Sequence, residues 1–133
     1  MKFSLVVATR GRSSELATLF DSLLAQGEPA IEAIVVDQND DDRLVPIVAR
    51  YAPKLALRHL RSRIANANNA RNLGLRHAKG ALVSFPDDDC WLPDGVLARV
   101  AAAFDSDPAL AVLTGPDASP EGGGDVRDAT HDA

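Results

Sequence analysis

Phe3-Ser4-Leu5-Val6-Val7-Ala8-Thr9-Arg10-Gly11-Arg12 is an apolar run that breaks into turn chemistry. A short run bounded in this way reads as a buried strand. With Met1-Lys2 in front it imitates a signal peptide, but Arg10 and Arg12 end the apolar stretch too early for one. From Ser13 the period changes. Ser13 suits a helix N-cap and Glu15 its first turn, while Leu16, Leu19, Phe20, Leu23 and Leu24 recur on one helix face. Gly27 and Pro29 end that helix. Ile31–Val36 is then a second strand, closing at Asp37.

The alternation continues along the chain. A polar loop from Gln38 to Asp42 leads to a short helix over 44–51, where Pro46 is tolerable only near the start. The pattern then predicts a weaker strand over 55–60, a helix over 68–79 stopped by Gly80, and a strand over 81–85. Pro93 is placed to begin a helix carrying Val96, Leu97, Val100 and Phe104, and 110–114 reads as a fifth strand. Strands alternating with helices predict an α/β fold, a Rossmann-like three-layer sandwich with a mostly parallel sheet. Residues 1–116 form the expected domain. The Gly- and Asp-rich stretch 117–133 has almost no apolar content and is expected to be disordered.

Composition fits that picture. The chain has 133 residues, 46% hydrophobic and 25% charged, enough for one domain with its own core. No apolar run approaches the ~20 residues that span a bilayer, and a single cysteine excludes a disulfide scaffold. Net charge is −5, of which −4 sits in residues 117–133 (five acids against Arg127). Residues 43–86 hold nine bases and no acid, which suits an anionic ligand, although a solvated basic face would look the same. Arginine outnumbers lysine 11 to 3 and alanine is abundant, a composition that suggests a GC-rich bacterial gene.

Ligands of parallel α/β sheets bind beyond the carboxyl ends of the strands. Those ends here carry Thr9-Arg10-Gly11-Arg12, Asp37 and Pro86-Asp87-Asp88-Asp89. Three adjacent carboxylates repel one another, and a divalent ion relieves that repulsion. In an extended segment Asp87 and Asp89 would share one side. An acidic turn capping the next helix is the structural alternative. Asp37 suits a hydrogen bond to a base or ribose, or an Asx-turn. Arg71, among Asn68, Asn69 and Asn72, suits a phosphate, a nucleobase edge or a carboxylate such as Asp37. Helix capping explains the asparagines more cheaply. His59, His77 and His131 lack metal-site spacing and read as surface or packing residues. Cys90 reads as a small packing residue and Trp91 as a core anchor or a stacking platform. No G-x-G-x-x-G and no G-x-x-x-x-G-K-[ST] is present, and no Ser or Cys nucleophile has a sensible His partner.

Together, in order, Thr9-Arg10-Gly11-Arg12, Ser22-Leu23-Leu24-Ala25-Gln26, Val35-Val36-Asp37-Gln38-Asn39-Asp40, Ala70-Arg71-Asn72-Leu73-Gly74, Gly80 and Phe85-Pro86-Asp87-Asp88-Asp89 before Trp91-Leu92-Pro93 resemble the family-2 glycosyltransferases of GT-A fold. The resemblance covers about residues 3–115. It implies transfer of a sugar from a nucleoside diphosphate to an acceptor hydroxyl of a saccharide or lipid-linked glycan, with inversion. A divalent metal, Mn2+ or Mg2+, would be the cofactor. It places Thr9, Arg10, Asp37, Arg71 and Asp88 on the nucleotide, with Thr9 against the base, Asp37 and Arg71 on the base or each other, and Asp88 toward the ribose. Asp89 would hold the metal and Asp87 would support it through water. A cytoplasmic enzyme, soluble or peripheral to the inner face of the membrane, with no direct nucleic-acid binding is implied.

Three departures stand out. Gln38 and Asn39 replace the usual second Asp and Gly, and Asn66 replaces a common Gly. No residue is identifiable as the general base that deprotonates the acceptor, which in inverting members usually lies in an acceptor-side half further downstream. Asp117, Glu121 and Asp125 lie in a Gly-rich stretch and are poor candidates. The expectation is therefore a donor-binding half, truncated on its C-terminal side. A non-catalytic donor-binding module is the alternative. A nucleotidyltransferase of related fold would need a Gly-rich loop with a Lys after the first strand, where this chain has Thr-Arg-Gly-Arg.

Overall fold

The computed structural model describes residues 3–27 and 30–115 and the backbone of Ala129–Thr130. The elements run β1 (Phe3–Thr9), α1 (Ser14–Leu24), β2 (Ile31–Asp37), α2 (Val45–Tyr51), β3 (Ala56–Arg61), α3 (Ala67–His77), β4 (Leu82–Ser84), α4 (Val96–Ser106), β5 (Leu113–Thr114) and β6 (Ala129–Thr130). The chain divides into two compact units, 1–98 and 99–133.

In the first unit a four-stranded sheet has the order β3-β2-β1-β4, with every neighbour parallel. Leu5, Val6 and Val7 of β1 and Ala33, Ile34, Val35 and Val36 of β2 are all buried, so both faces of the central strands are covered. That is why these strands read as continuous apolar runs rather than alternating ones. Each fully buried Val, Leu or Ile contributes about 1.5–3 kcal/mol. The apolar stripe of α1 (Leu16, Leu19, Phe20, Leu23) is also buried. Phe20 meets Tyr51 of α2 edge-on at 5.2 Å between ring centroids, and the Tyr51 hydroxyl donates to Asp21 Oδ1 at 2.6 Å.

Helix α3 lies against the face bearing Val6 and Val36. Gly74 makes this approach possible: a Cβ there would overlap Val6 Cγ1 and stand 3.3 Å from Val36 Cγ2. Gly80 is needed for a reason different from the helix stop expected of it. The helix ends at His77, and Gly80 lets the chain run against β1, where a Cβ would lie 2.5 Å from the Ser4 nitrogen.

Several boundaries differ from the sequence pattern. Helix α3 is capped by Asn66, whose side chain accepts from the Asn68 and Asn69 backbone N–H groups, so the capping asparagine is Asn66 and not Asn68, Asn69 or Asn72. Helix α4 starts at Val96 rather than Pro93, after a turn through Gly95 at φ +72°. The fifth strand shrinks to Leu113–Thr114 and pairs antiparallel with β6 in a separate sheet of the second unit. Pro29, His131, Asp117, Glu121 and Asp125 lie outside the described residues, as does the expected disorder of 117–133 apart from the strand backbone at Ala129–Thr130. No helix among the described residues is long and apolar enough to cross a membrane.

Candidate functional site

The sheet register sets the site. Thr9 pairs with Asp37, and Asp37 with Arg61, so these three residues form a row at the carboxyl ends of β1, β2 and β3. Thr9 and Asp37 are buried, at 1% and 0% exposure. A buried carboxylate is costly unless paired and hydrogen-bonded. Asp37 Oδ1 accepts from the Asn39 backbone N–H at 2.9 Å and from Asn39 Nδ2 at 2.8 Å. Its Oδ2 lies 2.8 Å from His59 Nε2 and 3.6 Å from Arg61 Nε. The turn-forming reading of Asp37 holds: its Oδ1 shapes the loop after β2.

Asn39 does more than replace a glycine. Its Oδ1 accepts the Gly11 N–H at 2.7 Å, tying the end of β2 to the turn after β1. Gly11 has φ +74°, a left-handed conformation that glycine adopts without strain. Gln38 Nε2 donates to the Ile64 carbonyl at 2.8 Å, anchoring the loop after β3. Arg61 turns outward to Asp42 Oδ1 at 2.7 Å and to the Asp41 carbonyl. Asp41 also takes two side-chain hydrogen bonds from Arg43, which hold its carboxyl down at about 2.

The acidic segment follows β4. It is a turn, not an extended strand: the Cys90 N–H donates to the Asp87 carbonyl at 3.3 Å. The alternation that would place Asp87 and Asp89 on one side therefore does not apply. Asp88 points back to β1, where Thr9 Oγ1 donates to its Oδ2 at 3.0 Å. Arg12 bridges the next pair, with Nε 3.3 Å from Asp88 Oδ1 and Nη1 3.2 Å from Asp89 Oδ2. Asp87 is exposed.

Helix α1 holds this segment in place. Ser22 Oγ accepts the Leu92 N–H at 3.0 Å, Gln26 Nε2 donates to the Pro93 carbonyl at 2.9 Å, and Gln26 Oε1 accepts the Leu97 N–H at 3.2 Å. The Ser-Leu-x-x-Gln element is thus a clamp on the chain just after the acids. Burial pushes the Cys90 thiol up to about 11, reinforced by the charges of Asp87 and Asp89.

The structure brings Thr9, Asp37 and Asp88 together. It does not join Asp37 to Arg71. Arg71 lies on α3 and Arg10 on the exposed turn, and neither side chain makes a hydrogen bond or ion pair among the described residues. The partners of Asp37 from the neighbouring strand are His59 and Arg61, because β3 is the strand beside β2. Sequence reasoning set His59 aside as a surface or packing residue and gave Arg61 no role. The signal was their alternate spacing on β3, in register with Val35 and Asp37.

A divalent cation suits the acidic turn by the chemistry of its donors. Asp88 and Asp89 already share one cationic group, the Arg12 guanidinium. No group of three metal-ligating side chains exists among the described residues. A hard divalent ion here would therefore complete its shell with water and phosphate oxygens, as magnesium-like ions do.

A parallel β3-β2-β1-β4 sheet with an acidic turn hydrogen-bonded to its first strand defines a domain of the GT-A glycosyltransferase type. The model of the family described as glycosyl transferase family 2 matches residues 4–131, and the chain belongs to that family. It is similar to the poly(ribitol-phosphate) beta-N-acetylglucosaminyltransferase TarS of Staphylococcus aureus, 33% identical over 109 residues that make up 79% of this chain and 19% of TarS. TarS 1–349 in complex with UDP-GlcNAc superposes with a TM-score of 0.81 at 29% identity, over 92% of this chain and 36% of that one. The Pyrobaculum calidifontis mannosyltransferase PcManGT, in complex with GDP-Man and Mn2+, gives 0.72 at 27% identity, over 82% of this chain and 33% of that one. The chain thus spans about a fifth of the curated relative it matches first, at 19% of its length.

Proposed function

We propose that the chain binds a nucleoside-diphosphate sugar through a divalent metal, for inverting transfer of the sugar to an acceptor hydroxyl. The observation that carries the reading is the Thr9–Asp88 hydrogen bond, which fixes the acidic turn beside the buried Thr9–Asp37 row. Thr9 and Asp37 form the floor on the base side. Asp37 acts through His59 and Arg61, which cover it. Asp88 faces the ribose, Asp89 holds the ion and Asp87 supports it through water. Arg10 and Arg71, positive and without ion pairs among the described residues, are available to the base and the diphosphate. When bound, the ion neutralises charge on the departing nucleoside diphosphate. The protein's own share is to orient the donor and hold the carboxylates fixed before it arrives.

The relatives' complexes support this reading: one TarS structure holds UDP-GlcNAc, and PcManGT holds GDP-Man with Mn2+. The acceptor, a saccharide or lipid-linked glycan, is proposed on the family's pattern alone. A second reading, donor binding without transfer, is favoured by the engagement of Asp37, Asp88 and Asp89, each already paired with a base and therefore not poised to deprotonate an acceptor.

Calorimetry with UDP, GDP and ADP, with and without Mn2+, tests the proposal. One nucleoside diphosphate should bind saturably in a Mn2+-dependent manner, and Asp89→Asn should abolish the dependence. Binding indifferent to both the metal and Asp89, or no binding at all, overturns it. Sugar transfer by this chain would reject the second reading.

A further inference from the structure

We propose that Arg12 is a resident counter-cation, which keeps a divalent ion off Asp88 and Asp89 until a nucleoside diphosphate takes over its guanidinium. The inference rests on the metal-dependent donor reading above and adds an order of events to it. Among the described residues, three of the four carboxylate oxygens of Asp88 and Asp89 are engaged. Asp88 Oδ2 is held by Thr9, Asp88 Oδ1 by Arg12 Nε, and Asp89 Oδ2 by Arg12 Nη1. An ion approaching from solvent meets a fixed positive charge where it needs negative ligands.

Charge arithmetic points the same way. With Asp87 beside them, one guanidinium and three carboxylates carry a net −2. A divalent ion alone would neutralise that charge, but it would have to sit against the guanidinium that already occupies its ligands, so two positive groups would be forced together. A diphosphate arriving with the ion supplies negative charge that the two cations can share. It also offers the guanidinium the planar, two-point acceptor it prefers.

Arg12 is free to make the exchange. Its side chain is 41% exposed and that of Asp89 49%, so the guanidinium leaves without opening the core. The Gly11 N–H just before it is bonded to Asn39, which anchors the turn from which the side chain swings. Metal and nucleotide affinities should therefore be strongly coupled, and coupling between binding sites is reciprocal.

Titrations of Mn2+ followed by its electron paramagnetic resonance signal test this on the whole chain, with and without UDP. Against wild type, Arg12→Gln should bind Mn2+ alone about three- to tenfold more tightly, the scale of one exposed and one half-buried ion pair. The factor by which UDP raises Mn2+ affinity should shrink in that variant. Arg12→Lys keeps the charge and should stay near wild type for Mn2+ alone. If Arg12→Gln binds Mn2+ no better than wild type while Asp89→Asn loses it, the counter-cation role is overturned and the metal reading survives. If no protein takes up Mn2+ even with UDP, the metal reading fails and this inference falls with it.

Discussion

Thr9 Oγ1 donates to Asp88 Oδ2 at 3.0 Å, across 79 positions of sequence, from a side chain almost wholly out of water. This bond joins the end of β1 to the acidic turn. Thr9→Val keeps the shape and removes the donor. It should cost about 1–2 kcal/mol of stability in urea unfolding. It should also weaken Mn2+-dependent UDP binding by about tenfold, as the loss of one charge-assisted hydrogen bond does. Thr9→Ser should restore most of both. Equal UDP affinity in Thr9→Val and wild type would show that the turn does not need β1.

Gly74 and Val6 give a packing prediction. Alanine at 74 gains about 1 kcal/mol of helix propensity. Its Cβ, however, would run into Val6 Cγ1, a stiff β-branched group with 1% exposure. Overpacking of this kind costs about 1–3 kcal/mol, so the clash wins. Gly74→Ala should lower unfolding free energy by up to about 2 kcal/mol. Combined with Val6→Ala, which opens the space, it should cost less than the sum of the two single changes. Simple additivity in that cycle would mean that helix and strand do not press on each other here.

The architecture was legible because its central strands are buried on both faces. Phe3–Thr9 and Ile31–Asp37 are short apolar runs with a turn or an acid at the end, a length and an ending that favour a buried strand over a helix. The juxtaposition of Thr9, Asp37 and Asp88 at the candidate site was legible because Thr9 and Asp37 end strands and Asp88 lies in the turn after β4. His59 and Arg61 were hidden because β3 is an edge strand with mixed polarity, and reading it over 55–60 dropped Arg61 from its end. Arg12 went unassigned because its role depends on a contact 76 positions away, between the turn after β1 and the turn after β4, which local pattern does not encode. The acidic run reads equally as an extended segment or as a turn, and the local Cys90-to-Asp87 hydrogen bond makes it a turn.

Gln26 is the center of the clamp it forms with Ser22. It is 7% exposed and makes side-chain bonds to the Ser22 and Pro93 carbonyls and the Leu97 N–H. Gln26→Leu fills the space but leaves buried backbone groups without partners, a loss of about 2–3 kcal/mol. Because the clamp acts on the chain next to the acids, Mn2+-dependent UDP affinity should fall as well. If stability drops and affinity does not, the clamp serves the fold alone.

Ser4 and Glu32 predict an acid-sensitive bond. Burial pushes the Glu32 carboxyl up, but the Ser4 hydroxyl (2.5 Å) and the Lys79 N–H outweigh it, so the net shift is downward. A depressed carboxyl stabilises the fold above its unfolded pKa, and that contribution disappears as pH falls through the folded value. Ser4→Ala removes one cause and also strips the Gly80 N–H of its acceptor. The loss should be about 1–3 kcal/mol near neutral pH. It should shrink as pH falls through the lowered folded value of Glu32, because the carboxylate that the hydroxyl stabilises is then protonated. A loss that does not change with pH would assign the whole effect to Gly80.

Cys90 supplies the alkaline counterpart. Its thiol is raised to about 11, first by burial and then by the charges of Asp87 and Asp89. A free thiol near 8.5 reacts readily with iodoacetamide at mildly alkaline pH, because the thiolate is the nucleophile. Cys90 should react far more slowly there, with a rate that climbs as pH approaches about 11. The sign for stability follows. A thiol raised in the folded state contributes stability fully present below its unfolded pKa and lost as pH rises through the folded value. Unfolding in urea should bring the labelling rate at mildly alkaline pH up to that of a free thiol. A folded protein that labels at the free-thiol rate under those conditions would show that Cys90 feels neither burial nor the acidic turn.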